Sequence, residues 1–582
     1  MRNGVEVKGG WLRRRGRGRE DEMTRDGSRR ENADNNINRS DSVSEGIAGR
    51  CVSCTGERFT LCVLLLKRPW ELLIANLFIR RRVMLVMLVV AILLGCSNQW
   101  VDVSSLKASF LVAETDRPGL TFLQNYTIKR RHPVMIVPGF ISTALEVWQD
   151  DIPCMRYQPR GFNFRERVFG PRLLFLLATD PTCFMQLISL DKKTGHDPEG
   201  VKLRSDMGFG AADFFVLGYW VWAKIFINLA DIGYDPQSMG ILGYDWRLAP
   251  HEIHRRDGYY DHLRNYLLYL YHRNNERVVL ISHSYGSIIV ADFLYWMEKQ
   301  EPGWMNKYVA HWINVAGTMM GVAKTVSALL SGDAKDTLTL PGPARQLLET
   351  YLSRDLRTET FRTWSCQVAM FPRDCNGVFQ DIITLQNGTR LPPAKTLQFI
   401  AQRLRESGHT ALEREAQRVL NDTKILPSLP WAPNSTVFCL YGVGHDTEVG
   451  YVLGSDEEVN NTYDEEGRVT NGVIIGDGDG TVPLMSLAYM CRGQEGWKKN
   501  VGRVVTREHK NNLMPSMNLR GGPTSGQHVD ILGNYELIET VLKIVTGNAE
   551  GGKLGDRIYS DVDKHLATAG PCRDPASNET RR

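Results

Sequence analysis

The chain lacks an unbroken apolar run of the roughly 20 residues that a comfortable membrane span needs. Its apolar run from Val83 to Gly95 falls short of that. It also has little charge of one sign: 70 Lys and Arg against 66 Asp and Glu leave a net +4 over 582 residues. So small an excess makes no polycationic surface, and no nucleic-acid partner is expected. The seven cysteines from Cys154 onward lack the close C-x-x-C and His spacing of a zinc site, so neither a metal nor a cofactor is expected. Internal repeats are absent, which excludes solenoids and propellers. Aliphatic residues are nearly absent from "WLRRRGRGREDEMTRDGSRRENADNNINRSDS". Such a stretch cannot bury enough apolar surface to offset chain entropy, and residues 1–66 read as a disordered basic cytosolic tail.

What is present begins with Arg80, Arg81 and Arg82, directly before the apolar run. Extended upstream through Leu77, Phe78 and Ile79, with the arginines snorkelling, residues 77–96 read as a single-pass signal-anchor. The same run also fits the h-region of a cleaved internal signal peptide. In both readings the arginines stay cytosolic and everything after them enters the lumen. Sequons follow the run at Asn125, Asn387, Asn421, Asn434, Asn460 and Asn578. An oxidising compartment would let the later cysteines form bridges. Cys366 and Cys375 stand close enough in sequence to suggest one, with Cys572 left over.

From about residue 130 short apolar runs alternate with amphipathic ones. "PVMIVPGF", "SMGILGYDW", "RVVLIS", "HWINVAG" and "TVFCLYGVG" read as buried parallel strands. "GYWVWAKIFINLADIGY", "YYDHLRNYLLYLYHRN", "SIIVADFLYWMEKQ" and "NYELIETVLKIVTG" read as helices. The repetition implies a doubly wound α/β domain. Its rhythm stops over 335–430, a polar, helix-prone insertion read as a cap. That divides the core into 130–334 and 431–547, with a C-terminal tail over 548–582. The aromatics around Trp220 and Trp222 fit either a packed core helix or a lipid-facing surface. Asp245 and Arg247 of "YDWRL" read as a structural ion pair.

The chemistry starts at "SHSYGS". A serine hydroxyl is a poor nucleophile unless an imidazole takes its proton and a carboxylate orients that imidazole. Ser284 stands where an apolar strand meets a helix, with small residues Ser282 and Gly286 on either side, as a nucleophile elbow requires. The acid and base should follow in that order. "NGVIIGDGDGTVP" offers Asp477 and Asp479 at a strand end, and "SGQHVDILGN" offers His528 in a loop before the last helix. A calcium loop is a poor reading of "DGDG", because Val482 occupies the position that needs glycine. His283 is set aside as pointing off the elbow. Two backbone N–H groups, of Tyr285 and of Phe140 in "VPGF", would form an oxyanion hole.

Together "HPVMIVPGFISTALEVW", "FRERVFG", "DPEGVKLR", "GYWVWAKIFINLADIGYD", "YDWRL", "SHSYGS", "GDGDGTVP", "AYMC" and "SGQHVDILGN" resemble the lecithin:cholesterol acyltransferase family over about residues 130–547. The resemblance implies an α/β-hydrolase fold with a lid near 150–205 and a helical cap. It implies acyl transfer from a phospholipid donor. The nearest branch uses diacylglycerol as acceptor, giving triacylglycerol and a lysophospholipid. It also implies Ser284, Asp479 and His528 as the catalytic residues, and the pairs Cys154–Cys183 and Cys439–Cys491 as disulfides. The expected setting is the endoplasmic reticulum membrane, with a luminal catalytic domain. Ser282 and Tyr285 depart from the family's commoner Gly and Met or Leu, which leaves the acyl pocket's shape open. Hydrolysis by a phospholipase or lipase, acyl transfer to a sterol, and lipid binding without catalysis are the rival readings.

Overall fold

The computed structural model describes residues 117–569 and Cys572, apart from 157–160, 217–218, 333–341, 374, 376–377, 423–427, 456–457, 460–471 and 511–521. The tail over 1–66, the anchor over 77–96, Asn460 and Asn578 therefore lie outside the described residues. Among the described residues no helix is long and apolar enough to cross a membrane.

Six parallel strands form the main sheet. They are β1 (Val134–Val137), β2 (Met239–Ile241), β3 (Val278–His283), β4 (Val309–Val315), β5 (Ala432–Val443) and β6 (Val501–Lys510). Their spatial order is β6-β5-β4-β3-β1-β2. The central strands β1, β3 and β4 are buried at every position, which is why they read as continuous apolar runs rather than alternating ones. Helices α1 (Ala223–Asp231), α2 (Tyr259–Asn274), α3 (Tyr285–Gln300), α4 (Leu484–Arg492) and α5 (Tyr535–Val545) complete the units that position the site. A second sheet has four short strands in the order Arg390–Leu391, Ile383–Thr384, Thr447–Val452, Val473–Gly476.

Helix α3 starts hard against β1. A Cβ on Gly286 would stand 2.2 Å from the Pro138 carbonyl oxygen and 2.5 Å from that of Val137. Only glycine lets the helix begin there. The insertion consists mainly of helices: Gly342–Tyr351, Arg354–Phe361, Cys366–Ala369, Pro393–Glu406 and Thr410–Leu420.

Three expectations need correction. The segment from Gly218 was read as one helix, but α1 begins only at Ala223. Tyr219–Trp220 instead pairs antiparallel with Phe214–Val216, as suits the aromatic and β-branched run "YWVW". Strand β6 was not among the expected strands. Cys366 and Cys375 do not bridge: Cys366 is a free, buried thiol, and Cys375 bonds Cys572 across 197 residues with Cα atoms 4.4 Å apart. Bridging depends on spatial approach, which sequence nearness does not set. Cys154 is bonded to Cys183, and Cys439 of β5 to Cys491 of α4. Of the aromatics there, Trp222 is packed in the core but precedes α1 rather than lying in a helix, and Trp220 is half-buried in the short strand.

Candidate active site

Strand β3 delivers Ser284 onto a turn with φ 56° and ψ −125°, and α3 begins at the next residue. A non-glycine residue at positive φ is strained and needs support. The Ser284 N–H donates to the Val315 carbonyl at 3.0 Å, tying the turn to the end of β4. Ser282 adds more than small size. Its Oγ accepts from Trp312 Nε1 at 2.8 Å and pairs with Ser287 Oγ at 2.9 Å, all of them buried.

His528 Nε2 stands 2.8 Å from Ser284 Oγ, and its Nδ1 stands 2.7 Å from Asp479 Oδ2. Asp479 is acceptor-only when ionised, so the Nδ1–H donates to it and Nε2 is left to accept from the serine. The backbone repeats the link: the His528 N–H donates to the Asp479 carbonyl at 2.9 Å. The second Asp479 oxygen accepts from the N–H groups of Thr481 and Val482 at 3.0 and 2.7 Å, which fixes the fully buried carboxylate. Asp477, its neighbour in sequence, is turned elsewhere. Its Oδ1 accepts from the N–H groups of Gly444 and Gly478, each at 2.7 Å, and so holds the turn.

The loop after β1 lies directly on the serine. A Cβ on Gly139 would stand 3.0 Å from Ser284 Cβ. Phe140 places its ring edge-on to Trp246 at 5.1 Å, and Ile141 has φ 59°. The Tyr285 ring is buried near Tyr244, and its hydroxyl donates to the Leu248 carbonyl at 2.7 Å. The departure at Tyr285 thus fills the core behind the elbow.

His283 is the residue that sequence reasoning missed. Its Nε2–H donates to the carbonyl of His528 at 2.7 Å, and its ring stands 4.9 Å from that of His528 and 6.3 Å from that of Trp222. Burial, reinforced by His528, pulls its pKa down to about 3, so it is a neutral donor at physiological pH. The available signal was its place as the last residue of β3, beside the turn at Ser284.

Arg247 is completely buried and binds Asp245 at 2.7 Å and Asp197 at 2.8 Å, while Arg256 binds Asp245 at 2.9 Å. Burial works against the Asp245 charge, but Arg247 and Arg256 outweigh it and hold the carboxyl well below its ordinary range. The pair read from "YDWRL" is therefore a structural network that also ties down the segment around Asp197.

The parallel sheet is consistent with an α/β-hydrolase core. The pattern of the lecithin:cholesterol acyltransferase family matches residues 163–387 and 384–535. The chain belongs to that family. It is 33% identical over 494 residues to a phospholipid:diacylglycerol acyltransferase of Schizosaccharomyces pombe, covering 76% of this chain and 77% of that one. It is 32% identical over 494 residues to the protein of the same name from Saccharomyces cerevisiae, covering 75% and 74%. A phospholipid–sterol O-acyltransferase of Arabidopsis thaliana is 24% identical over 453 residues, covering 64% and 71%.

Proposed function

We propose that this chain is an acyltransferase that moves a fatty acyl group from a phospholipid to diacylglycerol through an acyl-Ser284 intermediate. The observation that carries this is the hydrogen-bonded line Ser284–His528–Asp479 on a strained strand–helix turn, in a chain one-third identical to two phospholipid:diacylglycerol acyltransferases.

Ser284 Oγ attacks the phospholipid ester carbonyl as its proton passes to His528 Nε2. The N–H groups of Phe140 and Tyr285 hold the negative oxygen of the tetrahedral intermediate. The ester C–O bond breaks, and the leaving alcohol takes the proton from His528, giving the lysophospholipid. A diacylglycerol hydroxyl then enters, loses its proton to His528 and attacks the acyl-serine. Triacylglycerol leaves and Ser284 regains its proton. Asp479 orients the imidazole and stabilises its charged form. Water in place of diacylglycerol would give a free fatty acid, so transfer requires a dry site.

In this reading residues 150–205 act as a lid and 335–430 as a cap. The N-terminal arginines and apolar run anchor the chain in the endoplasmic reticulum membrane, with a disordered cytosolic tail before them and the catalytic domain in the lumen. The three disulfides among the described residues suit an oxidising compartment, and Asn125, Asn387, Asn421 and Asn434 are all exposed, as glycosylation requires.

The test uses microsomes expressing the wild type or Ser284→Ala, given phosphatidylcholine labelled in its sn-2 acyl chain together with diacylglycerol. Label in triacylglycerol, absent with the variant, is expected. Label only in free fatty acid would make the chain a phospholipase, and label in sterol ester would move the acceptor to a sterol.

A further inference from the structure

Three ligand-type side chains meet at the N-terminal ends of the central strands, the end of the main sheet opposite Ser284. His132 stands just before β1, His311 lies near the start of β4, and Glu550 follows α5. A ring nitrogen from each histidine and a carboxylate oxygen of Glu550 all lie within 4.8 Å of one another.

The hydrogen bonding there is incomplete in a specific way. His132 is fully buried, and its Nδ1 faces the Arg277 carbonyl at 2.9 Å, so Nδ1 carries the hydrogen and donates. Its Nε2 is then a lone-pair acceptor, yet it faces Glu550 Oε1 at 3.5 Å. Two acceptors oppose each other with no donor between them. His311 is only 8% exposed, and neither of its ring nitrogens has a hydrogen-bond partner. Its ring lies edge-on to that of His132 at 5.4 Å.

We propose that His132 Nε2, one ring nitrogen of His311 and the Glu550 carboxylate bind one divalent ion of the zinc type. Two imidazoles and a carboxylate suit zinc, whereas calcium and magnesium need oxygen ligands. At zinc–nitrogen distances of about 2.0–2.1 Å, tetrahedral ligand atoms stand about 3.4 Å apart. His132 and Glu550 already meet that spacing, and His311 closes the remainder. The Nδ1–H bond from His132 to a backbone carbonyl is the outer contact that orients a metal-bound histidine. Glu550 is 42% exposed at its side chain, which gives the ion an entry path.

The charged groups facing the cluster are Arg130 and Arg277 against Glu276 and Glu550. The Arg277 guanidinium donates to the carbonyls of Asn434 and Val309, at 3.0 and 3.5 Å. Arg130 is half exposed and stands 3.5 Å from Glu276 and 3.7 Å from Glu550, so it exchanges one carboxylate for the other when the ion binds. The expectation of no metal rested on cysteine spacing. It did not touch ligands at 132, 311 and 550, which no local motif connects. Lying at the opposite ends of the strands from Ser284, the ion would staple β1, β4 and the turn after α5 rather than take part in acyl transfer.

The test takes the full chain in detergent, free of any affinity tag and stripped with a chelator. It is equilibrated with zinc chloride, gel-filtered and assayed for bound metal and thermal midpoint. Wild type is expected to retain one zinc more per chain than either His311→Phe or Glu550→Gln, and only in wild type should zinc raise the midpoint. The affinity of both variants should fall by more than the roughly 10–100-fold that loss of an outer partner alone costs. Glu550→Gln alters an exposed side chain, so it reports even where His311→Phe folds poorly. Equal retention by wild type and Glu550→Gln, or none by wild type, would overturn the proposal.

Discussion

His283 Nε2 donates a hydrogen bond to the backbone carbonyl of His528 at 2.7 Å. The residue before Ser284 thereby holds the main chain that carries His528. His283→Phe keeps a ring but removes the donor. It is expected to lower kcat by up to about a hundredfold with little change in KM, because misplacing the base harms the reacting geometry rather than binding. His283→Gln restores an N–H donor and should recover part of kcat. Equal activity in Phe and Gln variants with unchanged thermal midpoints would show that the bond does no positioning.

Asp479 and Asp477 stand two residues apart, but only Asp479 reaches His528. Asp479→Asn should cost about 10⁴-fold in kcat by mis-setting the imidazole. Asp477→Asn keeps an oxygen for its two backbone donors and should stay within about threefold of wild type. Steady-state transfer assays on both variants decide this. The reverse ranking would reassign the acid.

Restoring the family's commoner glycine at position 282 should harm the protein. Ser282→Gly leaves the buried Trp312 Nε1 without its acceptor, at a cost of about 1–3 kcal/mol. The thermal midpoint should fall while activity per folded molecule is kept. An unchanged or raised midpoint would mean that the network contributes nothing.

Removing Arg247 takes one buried cation from two carboxylates at once, leaving Asp245 to Arg256 and Asp197 to Arg204. Arg247→Met should destabilise the fold, by at most the roughly 3–5 kcal/mol of a broken buried pair, because Asp245 and Asp197 lose their common partner and keep one arginine each. Adding Asp245→Asn to it should return part of that loss. Denaturant titration of the single and double variants measures the coupling, and strictly additive losses would count against it.

Acid should destabilise the protein through buried histidines. Burial, together with His528 for His283 and with Arg557 and Arg507 for His509, pulls each pKa down to about 3. The unfolded chain binds these protons near pH 6.5, so it holds more protons than the native state below that pH. Stability is therefore complete above about pH 6.5 and falls as the pH drops toward 3. Each group contributes a slope of up to about 1.4 kcal/mol per pH unit. Thermal midpoints between pH 7.5 and 5 should show the fall, and His509→Gln should flatten it. A midpoint that rises on acidification would contradict this account.

Much of the architecture was legible because buried parallel strands are written as apolar runs. Strands β1 and β3 to β5 stand out for that reason. Strand β6 does not: it lies at the sheet edge, only part of it is buried, and "VGRVVTREHK" has polar residues at more than half of its positions. Ser284, Asp479 and His528 were readable from their order and their turn-rich settings. The His283 contact was not, because its partner is a backbone carbonyl 245 residues away, which has no sequence signature. Cys375–Cys572 was hidden for the same reason.

The order of the Ser284, Asp479 and His528 line along the chain has a consequence for biosynthesis. Ser284 precedes His528 by 244 residues, and Asp479 precedes it by 49. A chain growing from its N-terminus has made β1 to β6 before His528 exists. Ser284 therefore has no imidazole beside it while those strands are made, and under the proposed mechanism the chain becomes competent to cleave lipid esters only after its scaffold has been synthesised.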